Sequence, residues 1–341
     1  MTLFKRTLTN LLHLGALMCA VSAHAAYPLA IEHGQGSLTL DEAPKRVAVF
    51  DLGVLDTLDA LGIAAAGVPQ MAGPAYLKAQ YAGRETVNIG TLFEPNQAAL
   101  EALKPDLIII GGRSSNQFET LSALAPTIDL SIAPDQFLAG VRSNIKVLGE
   151  IFDKQEQAAQ LEAQLGKELA AVHAKTAGQS SLTLFTINDA LMLHAPGERF
   201  GMLNEVLGTR PVVEAVDPAS VAQGRPAPDS PEARQLRERQ KVRLDAALKE
   251  QPQRLVVLDR GAATGGEGKG AETLGKHAGV AASTAWQQDK VFYLEPATWY
   301  IATGGNQGQM NTLKDFAAVQ KGRGLTRLRL AVLGHCQLQP C

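Results

Sequence analysis

Two arginines follow short apolar runs at equivalent places in the two halves of the chain. Arg113 ends the window Pro105-Asp-Leu-Ile-Ile-Ile-Gly-Gly-Arg113, and Arg260, 147 residues later, ends Pro252-Gln-Arg-Leu-Val-Val-Leu-Asp-Arg260. An unbroken apolar run between a proline and a loop is typical of a parallel strand that is buried on both faces. Guanidinium groups stay charged and donate hydrogen bonds in a fixed fork, so the two arginines predict an anion-binding site at the carboxyl ends of two strands.

A third arginine and an aromatic pair are candidates for the same site. Arg199 lies in the loop Pro196-Gly-Glu-Arg-Phe-Gly201, where its alternative partner is Glu198. Three arginines together could clamp a polyanion. Trp299 and Tyr300 are neighbours, and two adjacent aromatic side chains can hardly both point inward, so one is expected to stack on a flat ligand. Tyr300 could also offer a phenolate to a hard metal such as Fe(III).

Several other kinds of function find no support in the sequence. No spacing of His, Cys or Glu suits a dedicated metal site, and there is no Gly-x-Ser-x-Gly elbow, P-loop or dinucleotide-binding motif. The net charge is −2, from 32 basic and 34 acidic residues, and no nucleic-acid footprint is present. An α/β enzyme that anchors phosphate or carboxylate groups with the arginines stays an alternative, against which stands the lack of a nucleophile–base pair.

The elements that must position these residues recur in the same order in both halves. The strand-like runs Arg46-Val-Ala-Val-Phe50 and Leu182-Thr-Leu-Phe185 each precede a helix, and these helices end at Gly62 and Gly208, where a left-handed cap is expected. The recurrence predicts an α/β fold with two similar lobes and mainly parallel sheets. We expect an N-terminal lobe over residues 27–136 and a C-terminal lobe over residues 177–320.

One long helix over residues 137–176 is predicted to join the two lobes. This stretch lacks proline, and its apolar residues recur at three- or four-residue steps. Some 35 helical residues would span roughly 50 Å. A single helical strut of this kind would permit small tilting of the lobes but not a wide hinge closure.

The two ends of the chain differ in composition from the lobes. Residues 1–26 read as a secretory signal peptide, because Lys5 and Arg6 precede an apolar run and small residues that suit cleavage, so export to a periplasm is expected. Residues 321–341 form an atypical tail. It contains Cys336 and Cys341, which could pair in an oxidising compartment or remain exposed thiols.

The chain carries four further motifs: Gly90-Thr-Leu-Phe-Glu-Pro-Asn96, Glu198-Arg-Phe-Gly201, Val257-Leu-Asp-Arg260 and Trp299-Tyr300. As a set, these motifs resemble those of the periplasmic binding proteins of iron–siderophore ABC importers, in particular the ferric-catecholate branch. The resemblance implies a monomeric protein without a catalytic step or intrinsic cofactor, which binds an Fe(III)–siderophore complex between its lobes and delivers it to an inner-membrane ABC permease. It also implies that Arg113, Arg199 and Arg260 hold the anionic complex, and that Tyr300 can complete iron coordination.

The chain departs from the family pattern at two points. The family's iron-ligating histidine precedes the strand that ends at Arg260, but residues 217–243 contain no histidine, which favours an intact hexadentate complex over a tetradentate one. Asp245 stands at a position of a permease-docking acid, whereas Ala98 stands at the equivalent place in the first half, so Glu94 or Glu101 would have to substitute. A haem or cobalamin receptor of the same fold stays open, because fold alone does not decide the ligand.

Overall fold

The computed structural model describes residues 27–320, apart from 71–72, 83–84, 188, 221–225 and 228. The predicted signal peptide (1–26) and the atypical tail (321–341) with Cys336 and Cys341 lie outside the described residues. Within the described part of the chain, no helix is long and apolar enough to cross a membrane.

The N-terminal lobe is built on a sheet of five short strands. These are β3 (Val47–Val49), β4 (Gly67–Val68), β5 (Val87–Asn88), β6 (Leu107–Ile110) and β7 (Thr127–Asp129), preceded by the antiparallel hairpin of β1 (Leu29–His33) and β2 (Gly36–Leu40). The five strands are parallel, in the order β5-β4-β3-β6-β7. All four residues of β6 are buried, as the apolar run before Arg113 predicts.

The helices of this lobe are α1 (Leu52–Ala60), α2 (Ala75–Tyr81), α3 (Gln97–Leu103) and α4 (Phe118–Ser122). Asp51 caps α1, because its carboxylate accepts from Gly53 N at 2.8 Å and from Val54 N at 2.9 Å. Just past its other end, Gly62 has a φ of 75°, which glycine adopts without strain. This short helix therefore follows β3 directly and begins at the carboxyl edge of the sheet.

The C-terminal lobe repeats this plan around a second sheet. Its strands are β8 (Ser180–Ile187), β9 (Ala190–Leu193), β10 (Arg210–Pro211), β11 (Arg254–Asp259) and β12 (Val291–Tyr293). The order is β10-β8-β11-β12 with parallel pairing, and β9 pairs antiparallel with β8. The helices are α7 (Leu203–Leu207), α8 (Pro231–Lys249), α9 (Arg260–Ala263), α10 (Gly270–Lys276), α11 (Ala278–Ala281), α12 (Thr284–Gln287), α13 (Pro296–Tyr300) and α14 (Asn306–Gln320). The prediction of two α/β lobes with mainly parallel sheets is confirmed.

The helix predicted to run without a break over residues 137–176 is in fact two helices, α5 (Phe137–Ile151) and α6 (Gln155–Thr176). The chain turns at residues 152–154, where Asp153 takes a left-handed φ of 55°. The Arg142 guanidinium lies 3.1 Å from the Glu162 carboxylate, so the helices fold back against each other. The packing is possible because Gly149 has no side chain. A Cβ on Gly149 would lie 2.5 Å from the Ala158 Cβ, which is too close. The prediction of a 50 Å strut is therefore wrong.

The link between the lobes is α6, reinforced by α14. With 22 residues, α6 spans about 33 Å and leads into β8, and the Thr176 hydroxyl near its end donates to Leu207 O at 2.7 Å. Helix α14 begins on the N-terminal lobe, because the buried Asp56 carboxylate of α1 accepts from Gln307 N at 2.7 Å and from Gly308 N at 3.1 Å. The lobes are thus joined at more than one place.

Candidate anion-binding cleft

Tyr300 stands at the centre of the predicted site, at the end of α13. The helix is fixed by Glu295, whose carboxylate accepts from Thr298 N at 2.6 Å. The Tyr300 ring contacts two further aromatic rings of the C-terminal lobe, each with its centroid 6.0 Å away: it is stacked on Phe185 and tilted against Phe200. Phe185 and Phe200 are themselves stacked at 5.0 Å. The three rings form one aromatic wall.

Arg113 reaches this wall from the N-terminal lobe. It follows Gly111 and Gly112 at the end of β6, and the φ of Gly112, 45°, turns the chain out of the strand. The Arg113 guanidinium donates to the carbonyl oxygen of Tyr300, and its Cζ lies 4.6 Å from the Tyr300 ring centroid. This contact joins the two lobes across the cleft.

Arg260 contacts the hydroxyl group of Tyr300. It directly follows β11 as the first residue of α9, a helix capped by the Asp259 carboxylate, which accepts from Ala262 N at 3.2 Å. The Arg260 Nε donates to the Tyr300 hydroxyl at 3.0 Å, and its Cζ lies 5.9 Å from the ring centroid. The two strand-end arginines thus meet at one tyrosine, as their matching positions in the two halves predict.

Arg199 completes the group, with its Cζ 5.6 Å from the Tyr300 ring and 5.0 Å from the Phe200 ring. The expected competitor Glu198 has other partners, because it accepts from Arg243 at 2.8 Å and from Ala195 N at 2.7 Å. Burial, and then the positive charge of Arg113, lower the pKa of Arg199 to about 10. With this pKa, Arg199 remains charged at neutral pH. Among the described residues, no carboxylate lies within salt-bridge distance of it.

The charges around Tyr300 change its acidity. Burial alone would raise the pKa of the phenol, but the hydrogen bond from Arg260 and the charges of Arg113, Arg260 and Arg199 outweigh burial and lower it. A phenolate is thereby easier to form here than on a free tyrosine. A phenol coordinates Fe(III) in its deprotonated form, which these charges favour.

A cavity of about 400 Å³ opens beside these groups. Arg113 and Arg199 line it, together with the Asp51 carboxylate, whose pKa is raised by burial. Phe93 also lines it; its side chain is 55% exposed and its ring centroid lies 5.7 Å from the Arg113 Cζ. Phe93 lies within the motif Gly90-Thr-Leu-Phe-Glu-Pro-Asn96 but was not among the predicted site residues.

Trp299 does not belong to the cleft, so its prediction as a ligand-stacking residue is wrong. Its side chain is only 1% exposed, its Nε1 donates to the Thr312 hydroxyl at 2.8 Å, and its ring lies 6.1 Å from Phe137. One member of the aromatic pair does point inward and the other does face the arginines. Packing against α5 and α14 selects Trp299 as the inward member.

One of the isolated histidines of the sequence lies beside the aromatic wall. His194 is in edge contact with Phe185 at 5.4 Å and with Phe200 at 5.2 Å. Burial lowers its pKa to about 4, although the nearby Glu198 acts in the opposite direction. Among the described residues, no group of three or more His, Cys, Asp or Glu side chains could hold a metal ion.

The predicted docking acids are both on the surface. Glu94 lies in a tight turn, in which the Thr91 hydroxyl accepts from Glu94 N at 3.0 Å. Asp245 is exposed on α8. Their role in docking remains a prediction.

The sequence pattern that defines the family described as periplasmic binding protein matches residues 47–298, well over half of the chain. The chain belongs to this family. Family members are substrate-binding proteins and not enzymes, so the expected lack of a catalytic step is confirmed, as is the resemblance to binding proteins of iron–siderophore importers.

Two curated relatives in the periplasmic binding protein family align over most of their length. The petrobactin-binding protein YclQ of Bacillus subtilis is 29% identical over 276 residues, covering 80% of this chain and 81% of the relative. The ferric-anguibactin-binding protein FatB of Vibrio anguillarum is 28% identical over 285 residues, covering 81% and 82%.

Solved structures also match most of this chain. The structure of YclQ matches with a TM-score of 0.71 at 26% identity, covering 84% of this chain and 96% of that one. The catecholate-siderophore binding protein VctP of Vibrio cholerae matches with a TM-score of 0.71 at 25% identity, covering 85% and 99%. These matches support the family's helix-linked, two-lobe architecture for this chain.

Proposed function

We propose that this chain captures an anionic ferric siderophore of catecholate type in the cleft around Tyr300 and delivers it to an inner-membrane ABC permease. The observation that carries the proposal is the convergence of Arg113, Arg199 and Arg260 on one tyrosine. Three guanidinium groups that converge on one ring concentrate positive charge there, and this local field favours an anionic partner. A ferric catecholate supplies both negative charge and flat aromatic rings.

The names of the aligned relatives support the same substrate class. YclQ is a petrobactin-binding protein and FatB a ferric-anguibactin-binding protein. The partly exposed Tyr300, which the buried Phe185 and Phe200 hold in place, and the exposed Phe93 supply surfaces on which catechol rings can stack. In this account the iron is cargo that arrives with the siderophore and not a resident cofactor.

Tyr300 has a second role if the bound complex leaves coordination sites open. The lowered pKa of its phenol favours direct coordination of Fe(III) by the phenolate. With a hexadentate complex the same side chain stacks on the ligand and orients the guanidinium of Arg260. The absence of histidine between residues 217 and 243 favours the second case.

Location and partners follow from the family. Other relatives are named as periplasmic proteins and as lipoproteins, and the chain is accordingly an extracytoplasmic binding protein. We place it in a periplasm as a monomer after removal of residues 1–26. Glu94 and Asp245, exposed on different lobes, are the surface acids that would meet basic residues of the permease.

Fluorescence titration with a panel of ligands tests the proposal. Quenching of the two tryptophans should report tight binding of ferric catecholates and weak binding of a neutral ferric hydroxamate, haemin and cobalamin. Tight binding of haemin or cobalamin, with weak binding of every ferric catecholate, would contradict the proposed substrate class.

A further inference from the structure

A second cavity, of about 750 Å³, lies at the opposite edge of the C-terminal sheet from the cleft. Its wall includes Gln179, just before β8, Arg254, the first residue of β11, and Lys290, just before β12. These positions are the amino ends of three neighbouring parallel strands. The cleft, by contrast, is built from residues that follow the carboxyl ends of β6, β11 and β12, so the two cavities are separate.

Arg254 in this wall is a buried cation with few partners. The residue is 6% exposed, and its Nε has no hydrogen-bond partner among the described residues. Within the same residues its Nη2 makes one long contact, of 3.4 Å, with Gln179 Oε1, and its Cζ lies 5.0 Å from the Phe316 ring. In the described part of the chain no carboxylate forms an ion pair with it. A buried guanidinium without a counter-ion is costly, which points to an anion that supplies the missing charge.

The surroundings of Arg254 favour an anion that comes from solution. Lys290 adds a second positive charge to the wall. Asp289 also lines the cavity, but this residue already interacts with another group. The segment that follows the wall residue Gln320, residues 321–341, contains no Asp or Glu, so its side chains offer no carboxylate.

We propose that this cavity is a second binding site, which takes a small oxyanion such as a phosphate or a di- or tricarboxylate. The Arg254 guanidinium and the Lys290 ammonium are its charged contacts, and the Gln179 side chain orients the guanidinium. The inference is independent of the proposed function, because it involves no residue of the cleft.

Nuclear magnetic resonance of the Arg254 Nε–H group tests the site. Inorganic phosphate and citrate are titrated at constant ionic strength into the double variant Arg113→Ala/Arg260→Ala, which removes two cleft cations that would also attract them. The Nε–H signal, assigned by through-bond correlation to the Arg254 backbone, should shift and saturate with at least one of the two anions. Arg254→Met in the same background should weaken binding, measured calorimetrically, by about tenfold or more.

Two results would overturn the second site. One is an Nε–H signal that does not move at millimolar phosphate or citrate, and this test stands even if Arg254→Met does not fold. The other is calorimetric binding that persists unchanged in a folded Arg254→Met variant. Neither result would bear on the cleft, which is tested separately with ferric ligands.

Discussion

Replacing Arg260 by alanine perturbs the cleft at the contact that the structure defines best. The substitution removes the donor that lies 3.0 Å from the Tyr300 hydroxyl and one of the three positive charges around the ring. A hydrogen bond to a charged group contributes about 1.5–3 kcal/mol, so the Kd for an anionic ferric catecholate should rise about 10- to 150-fold. Because Arg260 is partly exposed, solvent screening places the expected loss toward the lower end.

The assay is tryptophan-fluorescence titration at fixed pH and ionic strength, with two matched variants. Arg260→Lys keeps the charge but lacks the guanidinium fork, so its affinity should fall between those of the parent and of Arg260→Ala. Arg239→Ala removes an equal charge from the exposed face of α8 and should leave the Kd within about twofold.

The reasoning would be refuted if Arg260→Ala and the equivalent Arg113→Ala both bound the ferric catecholate as tightly as the parent protein. An equal loss of affinity for anionic and neutral ferric ligands would also contradict it, since the effect would then reflect packing and not charge.

Four further outcomes are expected. The pKa of Tyr300 is lowered, so its tyrosinate absorbance should appear at a lower pH than that of the other tyrosines, and Tyr300→Phe should remove it. With a tetradentate ferric complex, Tyr300→Phe should also shift the visible charge-transfer band. With a hexadentate complex, the spectrum should stay the same. Glu94→Gln and Asp245→Asn should reduce uptake through the reconstituted permease without changing ligand affinity, and unchanged uptake would remove these acids from docking. Burial raises the pKa of Asp56 to about 6, so the folded state holds this proton more tightly than the unfolded chain. The free energy of unfolding should therefore fall by about 2 kcal/mol between pH 4 and 6.5 on account of this group, and urea denaturation of Asp56→Asn should show a correspondingly flatter pH dependence. Small-angle scattering should show only a slight fall in radius of gyration on ligand binding, because α6 and the α14 contact with Asp56 join the lobes at more than one place; a large fall would mean that these links open.

The arginine positions could be predicted because they depend on strand geometry alone. Parallel strands that are buried on both faces have a recognisable apolar pattern, and the residues that follow their carboxyl ends meet at one edge. Arg113 and Arg260 satisfy this rule in both halves. The sequence alone does not show whether Arg199 pairs with Glu198. In the structure Glu198 pairs instead with Arg243, which is distant in the chain.

Two other features depend on tertiary packing that local sequence does not encode. The turn at Asp153 contains neither proline nor glycine, and the apolar spacing continues through it, so periodicity predicts one helix where packing of Gly149 on Ala158 produces two. The inward orientation of Trp299 is likewise decided by its hydrogen bond to Thr312 on α14. Phe93 was missed because an aromatic residue in a loop is distinguished only by its exposure, which the structure reveals.

The central claim is that a ferric complex binds between the lobes against Tyr300 and its three arginines. Anomalous scattering at the iron edge, from crystals of the protein with a ferric catecholate, tests this claim most directly. We expect one iron peak in the cleft, with ligand oxygens within hydrogen-bonding distance of Arg113, Arg199 and Arg260. An iron peak elsewhere on the protein, or one in the cleft that none of the three guanidinium groups approaches, would contradict it.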